Sequence, residues 1–101
     1  MNLREFKEAL NRTAAPAGLN PYLQALWHEA KGEWDAAHHL VQDIPTREAA
    51  WVHAYLHRKE GDSGNASYWY SRAGKNFSRL SSEEEWEELA AAFLKVNPLN
   101  P

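Results

Sequence analysis

"AWVHAYLHRKEGDSGNASYWYSRA", residues 50–73, falls on "PYLQALWHEAKGEWDAAHHLVQDI", residues 21–44, when the chain is laid on itself at an offset of 29 residues. Tyr22 meets Trp51, Leu23 meets Val52, Ala25 meets Ala54, His28 meets His57, and Gly32 meets Gly61. The second half of each unit repeats one apolar template: Ala37, Leu40, Val41 and Ile44 against Ala66, Trp69, Tyr70 and Ala73. Both sets run i, i+3, i+4, i+7, which places them on one face of a helix. Each unit therefore reads as a helix, a tight turn of glycine and acid, and a second helix.

The turn and second helix, "KGEWDAAHHLVQ" and "EGDSGNASYWYSRAG", resemble tetratricopeptide repeats, and "NASYWYSRAGK" is also similar to Sel-type repeats. The resemblance implies turn glycines at Gly32 and Gly61, small residues at the helix contact at Ala37 and Ala66, and bulky positions at Val41 and Tyr70. It further implies an all-α superhelix of two hairpins whose open ends are covered by capping helices, about six helices in all, serving as a scaffold for a partner. The chain departs from the family in the Ile44, Ser63 and Gly64 positions and in a unit shorter than the usual length of roughly 34 residues.

Helix punctuation extends the same reading outward. Asn2 is placed to cap a first helix over about 3–12, and Asn20 before Pro21 starts the next, where a proline N–H is not missed. Thr46 opens a helix over about 47–60 that Gly61 ends. "SSEEEWEELAAAFLKVN" has serine caps, acids at the positive end of the helix dipole and Trp86, Leu89, Ala90 and Phe93 on one face, predicting a helix over about 82–96. Sustained apolar/polar alternation is missing, so no strand is expected. The expected organisation is one domain over 1–101, with a capping helix and loop in 1–19, hairpins in 20–45 and 46–75, and a C-terminal capping helix in 81–97.

Composition narrows the function. Without cysteine there is neither a disulfide nor a thiolate site. A formal charge of -3 gives no basic excess for phosphates, so no nucleic-acid partner is expected. The N-terminal "MNLREFKEAL" lacks the apolar core of a signal peptide and "LAAAFL" is too short to span a bilayer, pointing to a cytoplasmic chain without a membrane partner. Five tryptophans and four tyrosines supply stiff surface that suits a core and an interface equally.

Three kinds of site were weighed. No nucleophile sits beside a base and the glycines of "EGDSG" do not make a phosphate loop, so no enzyme activity is expected. The acids of "SSEEEWEE" read as a solvated, dipole-matched helix start. His53 and His57, four apart, could share a metal with Glu60 or His28 as third ligand, whereas His38 and His39 read as solvated. Against the metal, "HAYLH" lacks the glutamate of a zincin motif, and His57 suits a packing place inside its own hairpin, in register with His28. The favoured reading is thus a non-catalytic protein-interaction module or small adaptor without cofactor or metal. Trp34, His53, Arg58, Tyr68 and Arg72 are its candidate contacts with a protein or peptide partner, and a homo-oligomer stays open; the alternative is a histidine metal-binding protein with possible hydrolytic activity.

Overall fold

The structure is a computed structural model that describes residues 1–97. Its described residues form six α-helices and no strands: α1 (Leu3–Glu8), α2 (Pro21–Ala30), α3 (Trp34–Val41), α4 (Arg47–Lys59), α5 (Ser63–Ala73) and α6 (Ser82–Lys95). The expected caps are in place. Asn2 and Ser81 each complete a reciprocal capping box, with Glu5 and Glu84, and Asn20 and Thr46 accept from the amides of Leu23 and Ala49. Each of these bonds satisfies an amide that has no partner inside its own helix. None of the helices is long and apolar enough to cross a membrane.

The first helix is shorter than its periodicity predicts. It runs as α-helix only to Glu8 and continues as a 3₁₀ turn over Ala9–Asn11. The carbonyls there are taken by other parts of the chain: Trp27 Nε1 donates to Ala9 O at 3.0 Å, and Lys31 Nζ to Leu10 O at 2.6 Å. At Ala9 O the indole joins the local Arg12 amide at 3.1 Å, and at Leu10 O the ammonium serves a carbonyl beyond the end of the α-helix.

Helices α2/α3 and α4/α5 pair as two hairpins, and their turns are built alike. Gly32 and Gly61 have φ of 82° and 88°, a conformation that costs an L-residue about 1–2 kcal/mol. In each turn the residue after the glycine donates its amide to a histidine carbonyl, Glu33 to His28 and Asp62 to His57, both at 2.9 Å. Ala37, Ala66, Val41 and Tyr70 are buried. The two hairpins share these turns and contact residues, but the six helices do not show a tetratricopeptide-like repeat.

Helix α4 is the centre of the molecule. Every residue from Ala49 to His57 is buried, as a helix enclosed on all sides requires. Against it pack α2, α3, α5 and α6, while α1 lies on α6 with Phe6 stacked on Trp86 at 5.6 Å between ring centroids. The tryptophans serve the interior, and four of them tie one element to another through Nε1–H. Trp27 reaches Ala9 O, Trp34 reaches Leu56 O, Trp86 reaches Leu26 O and Trp51 reaches a Glu85 carboxylate oxygen.

Glu85 corrects the reading of "SSEEEWEE" as wholly solvated. Its side chain is 0% exposed and accepts from Arg58 Nη1 at 2.7 Å, Tyr70 Oη at 2.6 Å and Trp51 Nε1 at 3.2 Å. The residue lies one turn before Leu89, on the flank of α6 turned toward α4 and α5, and a buried carboxylate is tolerated there because three donors converge on it. Arg58, expected as a partner contact, is committed to this interior network and to the Leu80 carbonyl.

Candidate metal centre

The site begins at the N-terminus of α3, where Trp34 is pinned to α4 by its 2.7 Å bond to Leu56 O. One turn on, His38 stacks on Trp34 with centroids 4.8 Å apart and rings 11° from parallel. From α4, His53 and His57 project one turn apart and stack on each other at 4.8 Å. Helix α5 closes the side with Trp69, whose ring lies 3.9 Å from that of His53. Two indoles thus flank the imidazoles and restrict their rotation.

The three histidines converge. One ring nitrogen from each of His38, His53 and His57 lies within 4.8 Å of the others. His38 Nε2 and His53 Nε2 are 2.9 Å apart, a hydrogen bond in which one nitrogen donates and the other accepts. Behind the cluster, His57 Nδ1 donates to Glu60 Oε2 at 2.6 Å. That bond fixes the tautomer of His57 and leaves Nε2 with its lone pair, the role of a carboxylate behind a ligating histidine.

Burial favours the neutral form of two of the imidazoles. Burial, reinforced by the neighbouring His38 and His57, lowers the pKa of His53 to about 4. Burial and His57 also depress His38, against the opposing pull of Glu60 and Asp35. His53 is 5% exposed and His57 9%, while His38 is half-buried and forms the edge open to water. Neutral imidazole is the form that ligates a metal, and the proton shared between His38 Nε2 and His53 Nε2 has to move to Nδ1 of the donor ring when an ion takes its place.

The arrangement differs from the sequence-based expectation in its third member. His28 is elsewhere, bonded to Glu33 at 2.7 Å with its ring edge-on to Trp27, and Glu60 supports His57 from outside. The third imidazole is His38, which had read as solvated; His39 is exposed as expected. His57 lies against Trp34 and His38, at the contact between the two hairpins and not inside its own. The repeat could not reveal His38, whose mate at the 29-residue offset is Ser67. Its i, i+4 spacing from Trp34 was the available signal, but only the packing of α3 on α4 turns that flank inward.

Of the five candidate partner contacts, Trp34 and His53 belong to this cluster and Arg58 to the Glu85 network. Tyr68 and Arg72 stay on the surface of α5, Tyr68 52% exposed, with Arg72 donating to its hydroxyl at 3.0 Å. A second acidic group, His57 with Glu60 and Asp62, holds no separate site. Its Glu60 is bonded to His57 and its Asp62 caps α5 through the Asn65 amide. Comparison of the chain with protein-family models, with curated proteins and with solved structures yields no match.

Proposed function

We propose that this protein binds one divalent ion of the zinc class through His38, His53 and His57. The convergence of three imidazoles from two helices, one of them backed by a carboxylate, carries the reading. Zinc–nitrogen bonds of about 2.0–2.1 Å in tetrahedral geometry set ligand nitrogens about 3.4 Å apart. To admit the ion by ring rotation, the His38–His53 separation of 2.9 Å has to open by about 0.5 Å and the separations to His57, which lie within 4.8 Å, have to close by up to about 1.4 Å. An all-imidazole set favours zinc, copper or nickel over magnesium or calcium. The reading includes no catalytic step, since Glu60 is already engaged by His57 and does not stand as a base.

Elemental analysis of protein purified without a histidine tag, followed by titration with zinc and with cobalt, tests it. One ion per chain is expected, with the visible absorption of tetrahedral cobalt. At free metal a hundredfold above Kd, stability should rise by about 2.7 kcal/mol. His38→Ala and His53→Ala should each abolish binding, and His28→Ala and His39→Ala should not. Absence of stoichiometric metal together with an unmoved melting temperature refutes the reading.

A second reading keeps the protein-interaction role on a smaller surface. Its support is the exposed Tyr68, held by Arg72, whose guanidinium also lies 5.4 Å from the Trp69 ring centroid. An aromatic and an arginine side by side are the residue types that anchor protein contacts.

A further inference from the structure

On another side of Trp34 lies a cleft of about 580 Å³, bounded by α1, the C-terminal ends of α2 and α4 and the first turn of α6. This volume is within the range of about 300–1,000 Å³ typical of small-molecule sites. Its walls include the indoles of Trp34 and Trp86, each of whose N–H is spent on a backbone carbonyl. Their contribution to the cleft is therefore apolar, π-rich surface.

Glu29 is the least exposed charged side chain of the salt bridges in its lining. Its side chain is 7% exposed, yet its two contacts are long: Lys59 Nζ at 3.5 Å and Tyr55 Oη at 3.4 Å. Charge-assisted bonds between ammonium and carboxylate run about 2.7–2.9 Å. Glu29 is thus a buried carboxylate without a close donor, and burial pushes its pKa up. The rim adds charge of one sign. Lys7 is matched by Glu87 at 3.4 Å and Lys59 leans on Glu29, which leaves Glu83 without an ion pair among the described residues. With Glu29 ionised, three carboxylates against two ammonium groups leave the cleft one negative charge in excess.

We propose that this cleft binds a small organic cation, a primary amine on an apolar, preferably aromatic body. The body lies against Trp34 and Trp86, and the ammonium donates to Glu29 at the close distance that Lys59 and Tyr55 do not reach. Aromatic faces add attraction for the same charge. An organic anion is disfavoured because both lysines already have carboxylate partners. This inference is independent of the metal reading, and its test is run with a chelator present.

Calorimetric titration of the full chain with phenethylamine, 2-phenylethanol and phenylacetate decides it. Phenethylamine should bind one to one, at least tenfold more tightly than the alcohol, and phenylacetate weakest. Glu29→Gln should remove the advantage of the amine over the alcohol while leaving the alcohol's own affinity unchanged. Ala30→Leu, at an exposed position of the cleft wall compatible with the helix, should weaken the amine about tenfold by occupying space. Equal binding of amine and alcohol, preference for the acid, no binding, or amine affinity unmoved by Ala30→Leu each overturns the proposal.

Discussion

Acidification should destabilise this protein well before its carboxylates titrate, and His53 sets the size of the effect. Its pKa is about 4 in the folded chain against 6.5 for an ordinary histidine. The unfolded chain therefore binds the proton first as pH falls, and the stability present above pH 6.5 drains away as pH falls toward 4. At 1.36 kcal/mol per pKa unit, the difference integrates to about 2 kcal/mol lost by pH 5 and about 3 kcal/mol in total. His38 acts in the same direction, since it too is depressed. Glu29, raised by burial, opposes them at the acid end of the window, so the contribution of His53 is isolated by difference. The variant His53→Phe keeps a ring against Trp69 but cannot titrate. Urea unfolding at pH 8, 6 and 5, with chelator present, should show wild-type stability falling about 2 kcal/mol more than that of the variant. In thermal melts this corresponds to a shift on the order of 10 °C for a domain of this size. Parallel stability profiles for the two proteins would refute the burial of a neutral His53 and, with it, the geometry of the cluster.

Glu85→Ala strands the Arg58 charge and the Tyr70 and Trp51 donors inside the protein, and should cost about 3–5 kcal/mol in denaturant unfolding. A loss under 1 kcal/mol would mean that the network is open to water. Truncation after Gly74 removes α6, and with it Trp86, Leu89 and Phe93 from the shared core, so the fragment should lose cooperative melting by circular dichroism. A helical 1–74 fragment with a sharp transition would show that α6 is dispensable to the fold.

Local chemistry made much of the architecture legible in advance. Asn2, Asn20, Thr46 and Ser81 are caps because each side chain satisfies an amide three residues away, and the 3.6-residue period shows which face of α6 is apolar. The glycine turns at 32 and 61 belong to the same class, since the backbone there takes a conformation that glycine adopts without penalty. These interactions span a few residues, so spacing alone predicts them.

The candidate sites were legible only in part, because they are made between helices. The i, i+4 pair His53 and His57 was visible, but the third imidazole comes from α3 at a separation of 15 residues. Glu85 stood among four other acids as an apparent solvent-facing residue until Arg58 and Tyr70, distant in sequence, were placed on it. Tertiary packing alone decided these matters. The flank of a helix that falls between core and solvent is turned inward or outward by the position of its neighbour. Sequence by itself determined six helices, their caps and their turns; the meeting of α3 with α4 determined that His38 joins His53 and His57 in one cluster.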